Sequence, residues 1–245
     1  MVTRFRVVEG TLLIDLLKPC RILSSAPRQG GFGRARYVLN HQVLPNPVAA
    51  PLAVKPAWRC ENPSPYLGRS AAGMGAKGAS VALMTAVPME RLVTVHEEAA
   101  GLWVEGFVTV GVTNAMRAGQ KRSPRERIRP SNRAAGTINI ILVTNARLAA
   151  GGMVEAVQVI TEAKTGTLLS HNVPTSFGMP GATGTGTDAV VVISGAGRSG
   201  PSLRYCGTHT RMGELIGSLV ARSVAEGLGR ATAWPRANSA ISKEI

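Results

Sequence analysis

The sequence predicts a single α/β or α+β domain in which a mixed β-sheet is covered by helices. Three observations carry that expectation. Two β-branched apolar runs, residues 137–144 and 189–193, have the unbroken hydrophobicity of central, fully buried strands. Residues 153–164 and the segment beginning near Arg211 instead place apolar residues at helical spacing. The 245 residues, 44% of them hydrophobic, are enough for one sizeable core, and no shift in composition marks a second. The expected organisation is a domain over residues 1–230 and a frayed tail over 231–245, where no periodic pattern remains.

Taken in order, residues 5–25 alternate short apolar groups, broken at Gly10 and at Lys18-Pro19, and read as two antiparallel strands. Residues 26–33 form a Pro/Gly turn, and residues 36–43 are strand-like and carry Asn40 and His41. Prolines from Pro45 to Pro65 then predict an extended connection. Small residues dominate 68–78, and residues 81–87 and 102–113 give further strand signal. In the helix over 153–164, Val154, Val157 and Ile160 are expected to face the core, with Glu155, Gln158 and Glu162 facing away. Met212, Leu215, Ile216, Leu219 and Val224 make the corresponding stripe of the last helix.

Composition excludes several classes. No apolar run approaches the roughly 20 residues that span a bilayer, and the first ten residues lack a signal-peptide core. Three cysteines without a C-x-x-C pair argue against a disulfide framework, so a cytoplasmic protein without membrane contact is expected. A net charge of +14 raises the question of nucleic acid. Much of the excess lies between Arg117 and Arg133, which holds seven basic residues against Glu126 alone and no aromatic ring. Single-strand binders interleave stacking aromatics with such charge, so a solvated basic loop fits better than a nucleic-acid site. Gly195-Ala-Gly197-Arg-Ser-Gly200 follows a strand, but Pro201 follows it rather than a helix, and a dinucleotide site needs the helix. The four histidines show no metal-ligand spacing, and no G-x-S-x-G elbow is present.

The chemistry-bearing stretch runs over residues 181–217. A polar, glycine-dense segment ends in Asp188, one of only two aspartates, and feeds the strand over 189–193. His209 stands just before the last helix, whose positive end disfavours imidazolium and favours a neutral base. Asp188 is placed to orient such a histidine or to activate water. A structural reading uses the same residues, with Asp188 capping a turn and Thr210 N-capping the helix, and spacing alone leaves both open. Gly136-Thr137 at the head of the best buried strand also suits a threonine nucleophile freed by self-cleavage, with water as the alternative nucleophile.

The motifs together resemble the adenosylcobinamide amidohydrolase family. Ile22-Leu-Ser-Ser-Ala-Pro27, Asn40-His41-Gln-Val43, Leu83-Met-Thr-Ala86 and Gly111-Val-Thr-Asn-Ala-Met-Arg-Ala-Gly119 carry the likeness. So do Gly136-Thr-Ile-Asn-Ile140, Val154-Glu-Ala-Val-Gln158, Glu162-Ala-Lys164, Ala182-Thr-Gly-Thr-Gly-Thr-Asp188 and Gly207-Thr-His-Thr-Arg-Met-Gly-Glu214. The blocks stand in the family's order over most of residues 20–220, with Gln120 where the pattern expects an aspartate.

The resemblance implies cytoplasmic salvage of a corrinoid: the aminopropanol arm of adenosylcobinamide is cut at its amide, leaving adenosylcobyric acid. Some relatives also act on complete cobamides such as pseudocobalamin. The cobalt corrinoid is then the substrate, no further cofactor is implied, and metal dependence and oligomeric state stay open. Catalysis is assigned to Asp188 and His209. Substrate binding is assigned to Asn40, His41, Asn114, Thr137, Asn139, Asn145, Thr185, Thr187, Thr208 and Glu214, because a corrin edge rich in amides suits amide and hydroxyl side chains. Glu162 and Lys164 are expected to pair on the solvent side of their helix, with a role in the site as the alternative. The competing classes are a non-catalytic corrinoid-binding protein and, further off, a basic nucleic-acid binder.

Overall fold

The computed structural model describes residues 3–43, 62–121, 136–197 and 200–231. Strands β1 (Arg4–Val8) and β2 (Thr11–Ser24) form a hairpin joined by Glu9 and Gly10, both at positive φ. That two-residue turn matches the twist of the strands it joins. β2 pairs next with β3 (Gly31–Gln42). The break expected at Lys18-Pro19 is a bulge within β2, where the register shifts between Asp15 and Cys20 and Leu17 takes a φ of 66°.

Helix α1 (Pro63–Gly73) begins where an extended connection is expected. Asn62 caps it by accepting from the Ser64 N–H, and its prolines fall in the first turn, where a missing N–H costs nothing. β4 (Ser80–Thr85), β5 (Val93–Ala99) and β6 (Leu102–Val110) follow. Ala100 and Gly101, both at positive φ, join β5 to β6 in a second tight hairpin. A short strand, β7 (Ala115–Met116), precedes β8 (Ile138–Thr144), and β9 (Arg147–Leu148) leads into helix α2 (Ala150–Ser170). The chain closes with β10 (Gly184–Thr185), β11 (Ala189–Ser194), β12 (Ser202–Leu203) and helix α3 (Arg211–Arg230).

Eight strands make the main sheet, in order β4-β3-β2-β11-β8-β6-β5, with β1 also paired to β2. β3–β4 and β8–β11 run parallel and the other pairs antiparallel, so the expected mixed sheet is present. Its two halves roll toward each other. Leu12, Ile14 and Val38 from one half thereby share a core with Phe107, Ile141 and Val143 from the other. On the outer face, α2 and α3 cover Val104, Val108, Ile138, Ile140 and Leu142, while α1 covers Leu39 and Ala82. No helix among the described residues is long and apolar enough to cross a membrane.

The buried face of α2 is rotated from the expected one. Met153, Ala156, Val159 and Ile160 pack inward, and Val154 is 45% exposed. Glu155 is drawn partly inward because its Oε2 accepts from the backbone N–H groups of Cys206 and Gly207 at 2.6 and 3.2 Å. On this face Lys164 falls on the core side. Glu162 stays exposed, so the expected solvent-side pair of these two residues does not form.

Candidate active site

Because β8 and β11 are parallel neighbours, their first residues lie at one rim of the rolled sheet. Asp188, immediately before β11, is the hub of that rim. Its Oδ2 accepts from Lys164 Nζ at 2.5 Å and from the Thr185 N–H at 3.0 Å. Its Oδ1 accepts from Thr185 Oγ1 at 2.5 Å and from the Ile138 N–H at 3.0 Å. Four donors use the carboxylate's capacity. Asp188 thus ties the turn before β11, the start of β8 and the middle of α2 to one another.

A second chain of hydrogen bonds crosses the inside of the roll. On β8, residues at every second position share a face, so Thr137 and Asn139 point inward with Ile141 and Val143. Asn40 on β3 and Thr109 on β6 meet them there. Asn40 Nδ2 donates to Thr109 Oγ1 at 3.1 Å, and Asn139 Nδ2 donates to Asn40 Oδ1 at 2.9 Å and to the Met84 carbonyl at 2.8 Å. Thr137 Oγ1 donates its one proton to the Thr187 carbonyl at 2.8 Å, with Asn139 Oδ1 at 3.2 Å as the competing acceptor. These are buried amides with few alternatives, so the chain fixes rotamers and ends on the Thr137 hydroxyl.

The third part is a close approach of backbone. The β7–β10 ribbon, pairing Thr185 with Ala115, carries Asn114 against Gly136. A Cβ on Gly136 would stand 2.6 Å from the Gly111 carbonyl oxygen, 2.6 Å from Thr113 Oγ1 and 2.8 Å from Asn114 Oδ1. Only glycine fits there. The Gly136 carbonyl accepts from Thr187 Oγ1 at 3.1 Å. Asn114 Oδ1 is buried and meets no hydrogen-bond donor among the described residues.

Of the residues expected to act, Asn40, Asn114, Thr137, Asn139, Thr185, Thr187 and Asp188 converge on this rim. Five others do not. His41 alternates to the opposite face of β3 from Asn40, where its ring bonds Thr11 Oγ1 at 2.8 Å and Tyr66 Oη at 2.9 Å beneath α1. Asn145 lies past the far end of β8, holding the β5–β6 turn through the Trp103 N–H and the Gly101 carbonyl. Glu214 is exposed in the first turn of α3, paired with Arg211. Thr208 and His209 are exposed in the loop before that helix.

The pairing of Asp188 with His209 is therefore corrected. The loop of His209 packs at the start of α2 through Glu155, and the Glu155–Lys164 interval is about 14 Å of helix at 1.5 Å per residue. β11 itself, six residues long, separates the two ends by roughly 20 Å at about 3.3 Å per residue. Thr210 takes the structural role, its Oγ1 accepting from the Gly213 N–H at 3.0 Å as an N-cap. His209→Ala is accordingly expected to leave steady-state turnover within about threefold of wild type, a change small against the loss of a positioned acid–base group.

Other nucleophile and ligand candidates can be weighed on the same geometry. Burial, with Glu155 adding to it, pushes the Cys206 thiol up to about 12, and burial also raises Cys20, so neither supplies a thiolate at neutral pH. Cys60 and most of the basic segment, residues 122–133, lie outside the described residues; Arg117 is exposed. Among the described residues no three His, Cys, Asp or Glu side chains cluster as metal ligands would.

His41 yields a prediction about stability. Burial lowers its pKa below the ordinary 6.5, so the unfolded chain takes up its proton first as pH falls. Its stabilising contribution is intact above pH 6.5 and is lost progressively below that, down to the folded-state value. Urea titrations between pH 7.5 and 5 should show this loss in wild type and a smaller one in His41→Gln.

Thr109 escapes sequence reasoning altogether, and Lys164 escapes it as the partner of Asp188. Lys164 carried a usable signal. Met153, Ala156, Ile160 and Lys164 recur at helical spacing, and a lysine on a buried stripe needs an acidic partner. Thr109 carried none, because it reaches Asn40 only through the roll of the sheet.

Comparison with known proteins agrees over nearly the whole chain. An uncharacterised protein of Methanocaldococcus jannaschii is 35% identical over 240 residues, covering 89% of this chain and 85% of its own. The adenosylcobinamide amidohydrolase of Methanosarcina mazei is 32% identical over 206 residues, covering 81% of this chain and 86% of its own. Among solved structures, a Burkholderia sp. beta-aminopeptidase overlaps loosely, with a TM-score of 0.44 at 9% identity over 89% of this chain and 78% of that one. The sequence pattern of the adenosylcobinamide amidohydrolase family matches residues 1–236, and with the Methanosarcina relative it establishes that this chain is an amidohydrolase belonging to that family.

Proposed function

We propose that the protein hydrolyses the amide between the corrin and the aminopropanol arm of adenosylcobinamide, using the rim around Asp188 and Thr137. Water adds across the C–N bond: hydroxyl goes to the carbonyl carbon, giving adenosylcobyric acid, and the proton goes to the departing amine. The observation that carries the reading is the convergence of seven amide, hydroxyl and carboxylate side chains on one rim, held by a buried ion pair. An amide is a poor electrophile, so the site must place a nucleophile, stabilise the oxyanion and protonate the amine. Thr137 Oγ1, oriented by Asn139 and the Thr187 carbonyl, is the group best placed to attack. The Thr187 hydroxyl and backbone N–H groups of the 184–187 turn suit the oxyanion. Asp188 acts as a positioning residue, since its four acceptor sites are already taken.

The test is incubation of the purified protein with adenosylcobinamide, following adenosylcobyric acid and aminopropanol by mass, with and without a chelator. Release of both products is expected. Stoichiometric corrinoid binding without aminopropanol would overturn hydrolysis and leave a carrier. Parallel reactions with pseudocobalamin measure whether a complete cobamide is also cut.

A further inference from the structure

The Gly136–Thr137 peptide is held as a substrate of its own neighbours, and we infer that the chain cleaves itself there, making Thr137 the N-terminal nucleophile of a two-chain enzyme. The inference rests on the amide-hydrolase reading only for Thr137's later role; the cleavage stands on the geometry around one peptide bond. Four features of that geometry point the same way. A threonine hydroxyl can close a five-membered ring onto the carbonyl carbon that precedes it. The Gly136 carbonyl oxygen, which would become the oxyanion, already accepts from Thr187 Oγ1 at 3.1 Å. Both acceptors of the single Thr137 hydroxyl proton, the Thr187 carbonyl at 2.8 Å and the competing Asn139 Oδ1 at 3.2 Å, draw it away from the Gly136 carbonyl and leave oxygen lone pairs free for attack. The absence of a side chain at Gly136 keeps the carbonyl approachable in a space where a Cβ has no room.

A fifth feature looks beyond the cleavage. Asn114 Oδ1 is buried against Gly136 and meets no donor among the described residues. Such an orphan acceptor is costly. A new amine on Thr137 would supply donors beside it.

The reaction balances without an external reagent other than water. Thr137 Oγ1 bonds to the Gly136 carbonyl carbon as the C–N bond breaks, and the hydroxyl proton moves to the nitrogen, giving an ester and a free amine. One water then hydrolyses the ester, returning the proton to Oγ1 and leaving Gly136 as a carboxylate. The freed amine can serve as the base that activates its own hydroxyl, an arrangement that needs no histidine. That accounts for a catalytic rim without an imidazole.

Intact mass under denaturing conditions decides the matter. Wild-type protein should give two fragments, residues 1–136 and 137–245, the second beginning Thr-Ile-Asn-Ile. Thr137→Ser should also cleave, Thr137→Val should remain one chain, and Thr187→Val should cleave more slowly. Uncleaved Thr137→Val should lose aminopropanol release by at least about 10³-fold, as when a nucleophile is removed. A wild-type sample that stays full length through prolonged incubation overturns the inference, whatever the variants do. If that full-length protein still turns over adenosylcobinamide, the amide-hydrolase reading survives alone. Two fragments without turnover would leave self-cleavage standing and sink the substrate.

Discussion

Lys164→Met is expected to lower the free energy of unfolding by about 3–5 kcal/mol, the range for removing one partner of a buried ion pair. The side chains of Lys164 and Asp188 are only 11% and 15% exposed, so the carboxylate left behind has little access to water. Methionine keeps the volume of the lysine stem, which isolates the electrostatic effect from packing. Asp188 would retain its three other donors but carry an uncompensated charge among β8, β11 and α2. Urea denaturation of the two proteins side by side measures the difference. A loss below about 1 kcal/mol would mean that the pair behaves like a solvated surface bridge.

Asn139→Ala is expected to reduce kcat by about 10²-fold with little change in KM, the signature of a misplaced reacting group. The substitution removes the acceptor that orients Thr137 and strips donors from Asn40 Oδ1 and the Met84 carbonyl. Some stability is lost with them, about 1–3 kcal/mol for buried polar groups left unpaired. Circular dichroism at the assay temperature distinguishes positioning from general loosening, because loss of folded fraction also lowers apparent kcat at constant KM and must account for no more than a small part of the roughly 10²-fold fall. Asn139→Gln, which keeps the amide but moves it by one methylene, should not restore the rate.

The parts of this architecture that were legible in the sequence are those decided by local hydrophobicity. β8 and β11 announced themselves because both faces of each are buried, which demands an unbroken apolar run. The residues at their heads, Thr137, Asn139 and Asp188, were legible for the same reason: polar groups at the edge of such a run need partners. β5 was not legible, because one of its faces is solvated and carries His96 and Glu98, leaving only weak alternation. α1 was hidden by Pro63, Pro65 and Gly68, which read as loop until Asn62 is seen to cap them. The phase of α2 slipped because Val154 is an exposed valine, and that slip turned Lys164 toward solvent.

What no local pattern contained was the long-range register. Asn40 and Asn139 are hydrogen-bonded although β2 and β11 lie between their strands in the sheet, and only the rolling of the sheet allows it. The same kind of information decides His209. In sequence it lies on the other side of one short strand from Asp188, but a strand holds its two ends apart by its whole length. Proximity along the chain suggested a dyad that the parallel β8–β11 pairing separates.

The most direct test of where catalysis sits is aminopropanol release from adenosylcobinamide by wild type, His209→Ala and Asp188→Asn, measured together at a temperature where circular dichroism shows all three folded. Chemistry at the Asp188 rim predicts His209→Ala within about threefold of wild type and Asp188→Asn reduced by about 10²-fold or more, because Thr185 and the start of β8 lose their anchor. Loss of activity in His209→Ala, with Asp188→Asn largely unaffected, would place the reaction at the opposite end of the sheet and contradict the account.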